Sequence, residues 1–513
     1  MPDKAKRRRN GGRKRAKEAL ATPLRCPNYR RLRHPYSAQT VFSEDEIQAL
    51  HNTALRVLQE LGIKVLLPEA RDILAKGGAG IKGDMVFFGA DMVAEALRVA
   101  PSSFRIRGAN SVRDVIYETG SLVFMGGAGC PNATDLKRGR RPGDLQAFTE
   151  TIQLFQCYDV IHMLCPAVEP QDVPIHLRHY AMMQSQLSNS DKPLFSYARG
   201  RAQAEQNFEM IQLGLGITSD AFRNDVWVTT VINSNSPRLL DNPMAQGIID
   251  YARAGQMAII TPFCLAGAMA PITVAGALTL QHAEALACIT LSQLANPGAP
   301  VSYGGFSSNV DMKSGAPAFG TPEHVKMQIG SGQLARHINL PWRSAAGAAA
   351  NLADAQAATE TVTSLWGALM ANATLTVHAA GWLEGGLSFG FEKFINDVEA
   401  LQTIAELCET PSGSAAEIGF KALADVEPGG HFFATEHTME RYATEFYAPL
   451  VADISNFGQW TQAGALSAQS RATAIWEQNL RDFEAPETGA PVVDRLARYI
   501  EEKTKAGGAP PLE

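Results

Sequence analysis

The sequence predicts an α/β fold, a (β/α)8 TIM barrel with a small N-terminal α/β cap and a C-terminal helical extension. Three observations carry that expectation. The stretch 256–307 sets out one complete unit: an uncharged apolar run at 257–263, a Gly/Ala/Pro loop, a long helical pattern at 272–294, the punctuation NPGAP, and a further apolar run at 301–305. The apolar runs show no polar alternation, so both strand faces must be buried, as in a parallel sheet covered by helices. The unit also recurs, with eight strand-like runs each followed by a helical pattern at roughly 35-residue spacing.

Composition bounds the rest. The chain has 513 residues, 45% hydrophobic and 19% charged, enough for a large core. Its first residues differ: KAKRRRNGGRKRAK is a dense basic run without apolar periodicity, read as a disordered arm over 1–39. The run lacks the apolar segment of a secretory signal. The net charge of −6 makes the rest of the chain acidic, so a nucleic-acid or membrane partner is not expected. Seven cysteines, at 26, 130, 157, 165, 264, 288 and 408, show no CxxC or paired spacing, which points to reduced thiols in a cytoplasmic protein and away from a cysteine-built zinc site.

Structure is expected to begin near Val41. Ser43, Glu44, Asp45 and Glu46 form a capping box that starts a helix running to about Leu61. Short strands at 63–67, 85–88 and 104–107, with helices at 68–75 and 90–99, complete a mixed cap over 40–120. The regular region, 121–408, places strands at 122–125, 160–165, 194–197, 226–232, 257–263, 301–303, 340–343 and 375–378. Helices follow at 143–155, 175–187, 202–215, 243–254, 272–294, 322–337, 354–370 and 391–408. A doubly wound sheet would alternate in the same way and stands as the alternative, although no G-x-G-x-x-G occupies a strand-to-helix turn. The uncharged stretch 257–280 is long enough to span a bilayer, but Pro262, Gly267, Pro271 and Gly276 interrupt it and no second segment resembles it. The extension, 409–513, holds HFFATEH, an amphipathic stretch at 463–483, the linker EAPETGAP and a short helix at 492–503.

In a barrel the chemistry lies at the carboxyl ends of the strands. Those ends read Met125-Gly126-Gly127, Cys165-Pro166-Ala167, Tyr197-Ala198-Arg199, Asn233-Ser234-Asn235, Phe263-Cys264, Tyr303-Gly304-Gly305-Phe306, Arg343-Ser344 and His378 through Glu384. Small residues there leave space for a broad group to approach.

The segments APITVAGALTLQHAEALA, PGAPVSYGGFSSNVDMKSGAPAFGTPE, VHAAGWLEGGLSFGFEKFINDVEAL and GGHFFATEHTMERYATEFY resemble the trimethylamine methyltransferase family, whose members pass a methyl group from a methylamine to a corrinoid protein. The resemblance covers residues 40–480. It implies a TIM barrel whose open end receives the cob(I)alamin of a partner corrinoid protein, with no cofactor bound tightly by the chain itself. Family members that use trimethylamine carry pyrrolysine, and this chain is written in the ordinary twenty residues; the corresponding position falls within SAAGAAAN, 344–351. Members without pyrrolysine resemble quaternary-amine methyltransferases, with glycine betaine as substrate and dimethylglycine as product. Methyl transfer from a quaternary nitrogen releases a neutral tertiary amine and needs no proton, so a residue that activates the amine is dispensable.

A trimethylammonium head cannot donate a hydrogen bond and is held by aromatic faces with a carboxylate nearby. Tyr303, Phe306, Trp342, Trp382 and Phe389 are the candidates for such a cage, each also readable as core, and Asp311 is a further candidate for the cation. The carboxylate of betaine wants a cation or amides, for which Arg343, Arg199, Lys313 and Asn309 are available. Glu384, in GWLEGG, and His378 are the candidate catalytic residues, against plainer readings as a loop cap and a hydrogen-bonded core histidine. Gly304, Gly305 and Gly381 are the candidates for close approach of the corrinoid. His431 and His437, six residues apart, lack helical metal spacing, and no metal is expected. The chain is expected to form a homo-oligomer. A TIM-barrel enzyme of another reaction class and a non-catalytic betaine-binding protein remain as alternatives.

Overall fold

A computed structural model describes residues 29–512 of the chain; residues 1–28, which hold most of the expected basic arm, lie outside the described residues. At its centre is one curled sheet of eight strands. From one edge to the other, the strands are Leu32–Arg33, Ser121–Phe124, Leu375–Val377, Trp342–Ala345, Val301–Gly304, Met257–Ile260, Val228–Ile232 and Leu194–Phe195. The last seven run parallel; Leu32–Arg33 is antiparallel, with Leu32 opposite Leu122 and Arg33 opposite Ser121. Strands such as Met257–Ile260 and Trp342–Ala345 are buried at every residue, the parallel-sheet pattern that the unbroken apolar runs predict.

The sheet is open, which corrects the expectation of a closed (β/α)8 TIM barrel. Seven of the eight expected strands form; the second, 160–165, does not. It contributes a single bridge, Met163 to Met125, and two flanking bonds, His162 N–H to the Phe124 carbonyl (2.9 Å) and Leu164 N–H to the Pro193 carbonyl (3.0 Å). The cause lies on either side of it. Leu32–Arg33 takes the part of the Ser121–Phe124 edge that a closing ladder would need. On the far side, Pro193 has no N–H to give just before the two-residue strand Leu194–Phe195.

Helices cover the sheet, and their starts follow the local sequence. Asp144, Asp241, Thr273, Thr321 and Asp354 each accept a hydrogen bond from a free N–H of the first turn. The helix Val274–Ala295 passes a length-and-composition test for a membrane span, yet most of its residues are buried within the body. Its polar His282 and Glu284 are enclosed there with partners. At the N-terminal side, Ser43 and Glu46 form the capping box of Glu44–Arg56. A four-stranded sheet there combines Ile63–Val65, Gly80–Lys82 and Met85–Phe87 with Leu239–Leu240 from the main body, so this layer is sewn to the rest. At the other end, Ala468–Arg481 lies on Phe391–Leu407, with Thr473 Oγ1 and Trp476 Nε1 both donating to the buried Glu392.

Candidate functional site

The carboxyl ends of the parallel strands open into a cavity of about 520 Å3 whose wall is mainly apolar. One side is a connected set of rings. Phe306 comes just after Gly305 at the end of the strand Val301–Gly304, and its ring lies 4.9 Å from Phe263, 5.3 Å from Phe319, 5.1 Å from His378 and 5.7 Å from Trp382. Trp382 stacks on His378 at 4.5 Å and meets Phe319 edge-on at 5.1 Å. Its Nε1 donates to the Ala128 carbonyl, 3.2 Å, which fixes the plane of the indole.

The backbone beneath Trp382 is kept bare. At Gly347, φ is +133°, and a Cβ there would stand 2.3 Å from Trp382 Cε3; a Cβ on Gly386 would stand 2.6 Å from Cζ2 on the same ring. The small residues of 344–351 therefore make the floor on which the indole lies. The turn that carries Trp382 is anchored from behind: Gly381 N–H donates to Asp397 Oδ2 (2.9 Å), and Asp397 is held in turn by the buried Lys393.

Arg343, from the strand Trp342–Ala345, lines the same cavity and is 1% exposed. Its guanidinium sits over the Phe306 ring, 4.8 Å from the centroid. Nε and Nη1 have no hydrogen-bond partner among the described residues, and no carboxylate pairs with the group there. Burial pushes its pKa down to about 9, which leaves it protonated at neutral pH. The other cation on the cavity wall, Arg199, is bound to Glu169 at 2.8 Å and lies over Tyr197. Lys313 belongs to an exposed turn, and Asn309 Oδ1 accepts from Thr321. Of the four groups proposed from sequence for a substrate carboxylate, Arg343 alone is both enclosed and without a partner.

His378 also lines the cavity, with φ of +59°. Its Nδ1 accepts from Ala128 N–H, 3.2 Å, so the ring proton sits on Nε2. Burial, reinforced by the Arg343 charge, holds its pKa well below the ordinary histidine value, and the ring is a neutral imidazole. Outside the cavity lining, on the helix Val274–Ala295, Glu284 is buried and its acidity is weakened by that burial. It accepts from the hydroxyls of Ser234 and Ser236 and from Arg238 N–H, thereby fixing the loop that brings Asn233 through Ser236 to the cavity.

The remaining residues singled out from sequence lie elsewhere. Glu384 is half-buried at the edge; burial alone would weaken its acidity, but bonds from Arg140 (3.0 Å) and Ser388 (2.7 Å) hold its pKa below the usual range. Tyr303 is enclosed behind the sheet, where its hydroxyl meets His282 Nδ1 (3.1 Å) and Gln281 (3.3 Å). Trp342 is buried with its Nε1 on the Asn372 carbonyl. Phe389 stands behind Trp382 among Phe155, Phe391 and Phe394. Asp311 bonds Ser314 in its own exposed turn. Gly304 and Gly305 are close-packed inside the fold, a Cβ on Gly304 falling 1.8 Å from the Ile260 carbonyl oxygen, and Gly381 faces the Phe389 ring.

Phe319, which completes the ring cluster, was not among the sequence candidates. It reaches the site because Ser308–Val310 turns back on Pro317–Ala318, a return that no apolar periodicity announces. Phe263 and Tyr197 did carry a signal, since each closes a strand-like run.

The family profile described as trimethylamine methyltransferase matches residues 5–508 of the chain. A glycine betaine methyltransferase of Desulfitobacterium hafniense strain Y51 is 32% identical over 470 residues, covering 91% of this chain and 98% of the relative. A trimethylamine methyltransferase of Desulfitobacterium hafniense strain DSM 10664 / DCB-2 is 27% identical over 471 residues, covering 90% and 94%. The solved monomethylamine methyltransferase of Methanosarcina barkeri superposes with a TM-score of 0.48 at 8% identity, covering 95% of this chain and 92% of that one. The chain belongs to the trimethylamine methyltransferase family.

Proposed function

We propose that this protein transfers a methyl group from a carboxylated quaternary amine, glycine betaine above all, to the corrinoid of a partner corrinoid protein, leaving dimethylglycine. The observation that carries the reading is Arg343: a protonated guanidinium, enclosed and without a carboxylate partner, lining a cavity that also carries aromatic rings, with Phe306 directly beneath it. An enclosed charge without a counter-ion is costly, and a ligand that brings a carboxylate removes the cost. The aromatic lining of Phe263, Phe306 and Trp382 is the kind of surface that attracts a cation unable to form hydrogen bonds. A ligand with both charges, separated by a short apolar linker, matches both the guanidinium and the aromatic lining. The relative named a glycine betaine methyltransferase supports the same choice.

The corrinoid supplies the cobalt nucleophile that accepts the methyl group. Small residues in the lining, Ala128, Gly129 and Gly386, leave room beside the rings for a reagent brought from outside. This chain's residues bind and orient. Arg343 holds the carboxylate, the ring wall holds the trimethylammonium head, and the neutral His378 imidazole adds no second positive charge beside that head. No proton has to be delivered, because the departing amine is neutral. Positioning and desolvation are the contributions asked of the protein.

The test is methylation of free cob(I)alamin, followed by absorbance, with glycine betaine, trimethylamine, choline, carnitine and proline betaine in separate assays. Methylcobalamin from glycine betaine, and none from choline or trimethylamine, is the expected result. Equal turnover of choline, which has no carboxylate, would overturn the role given to Arg343. Turnover of an amine without any corrinoid would point to another reaction class.

A further inference from the structure

Residues 414–446 form an arm rather than part of the body. The helix Phe391–Leu407 starts at the strand Ser388–Gly390 beside the cavity and runs about 25 Å away from it. The arm follows its far end and comprises three short helices, Ala415–Ile418, Phe420–Asp425 and Glu436–Arg441. The bonds that shape it are internal: Lys421 to Asp425 and Glu436, His437 Nε2 to the Ala416 carbonyl, and Arg441 to Glu417.

The arm has almost no interior. Ala422 is its one buried apolar residue, whereas Phe420, Phe433 and Phe446 are each more than three-quarters exposed and Ile418, Met439 and Tyr442 more than half. With an aromatic side chain offering roughly 200 Å2, these six leave on the order of 800 Å2 of apolar surface in water, about what one partner contributes to a stable protein interface. So much exposed apolar surface within one short segment is uncommon on a monomer.

We infer that the arm docks on a second copy of this chain. A segment without a core of its own needs a partner present whenever the chain is folded, and an obligate interface is the more apolar kind. A second copy meets that requirement, whereas a protein that visits the cavity to collect a methyl group must come and go. The arm also leaves from the end of its helix remote from the cavity. The residues 409–446 hold seven Asp/Glu against two Lys/Arg, which disfavours an anionic membrane surface as the occupant.

Sedimentation of the full chain tests this independently of any activity. The wild type is expected to sediment as a dimer or larger at micromolar concentration. The triple variant Phe420→Ser, Phe433→Ser, Phe446→Ser is expected to dissociate at least 10-fold more readily with an unchanged circular dichroism spectrum. A wild type that remains monomeric, or a variant that associates as tightly as the wild type, overturns the proposal. Should the variant misfold, a mixture of 14N- and 15N-labelled wild-type chains decides. Cross-links from Lys421 that join light to heavy chains support the docking, and cross-links confined to single chains exclude it. A variant that stays oligomeric but no longer methylates a corrinoid protein would assign the arm to that partner instead.

Discussion

Arg343 is enclosed without a carboxylate partner, and both its stability cost and its binding role follow from that. Replacing it with methionine removes a buried charge that the empty protein does not neutralise and keeps most of the volume. Arg343→Met is therefore expected to melt at a higher temperature than the wild type while binding glycine betaine at least 30-fold more weakly; differential scanning and titration calorimetry read the two effects. Arg343→Lys keeps the charge and loses the planar fork, so it should fall between the two. The sequence places Arg343 at a strand end and supplies its chemical type, but by type alone four side chains are equally able to meet a carboxylate. Choosing among them requires knowing that Glu169 already pairs with Arg199 and that Thr321 occupies Asn309, and those partners come from distant turns.

The elements were legible where punctuation marks them. Thr321 and Pro322 open the helix Pro322–His337 at the expected residue, because a hydroxyl cap and a proline in the first turn are local facts. The stretch 160–165 is as apolar as its neighbours but forms no strand, because the edge beside it is partly taken by Leu32–Arg33, about 90 residues earlier in a basic stretch. The loop 344–351 shows how one element sets up another. Gly347→Ala would drive a Cβ into the Trp382 ring and force a side chain into φ of +133°, so the ring must leave its stack on His378. The variant is expected to lose about 1–3 kcal/mol of stability in denaturant titration and to bind glycine betaine about 10-fold more weakly. Gly385→Ala, where the nearest atom lies 3.9 Å away, should keep the affinity and show only the cost of its positive φ.

Across the whole molecule, seven of the eleven histidines are held below their ordinary pKa by burial. His34, His51, His162, His179 and His324 fall to about 4, and His282 and His378 lie well below the ordinary value. The unfolded chain takes up these protons near pH 6.5 and the folded one only near pH 4 or lower, so the associated stability is complete above pH 6.5 and is lost as the pH falls through that window. At pH 5 the loss is about 2 kcal/mol for each fully enclosed ring. The urea midpoint is expected to fall steadily from pH 7 to pH 5; a flat profile over that range would show that the rings are solvated. Sequence counts the histidines, but their burial depends on packing: His282 lies inside the body on a helix that resembles a membrane span and shares a hydrogen bond with His51 from the N-terminal layer.

One of the chain's six tryptophans stands on the cavity wall with its indole N–H already committed to a carbonyl and one neighbouring ring stacked at 4.5 Å. Trp382 thus gives the protein an optical probe of its own. A cation settling near that indole displaces water and alters the local field, so ligand arrival should change the intrinsic emission in both intensity and wavelength. With Trp382→Phe the signal should vanish while the other five tryptophans continue to emit, and the occupancy of the cavity can be followed in real time without a label, a cobalt reagent or a second protein.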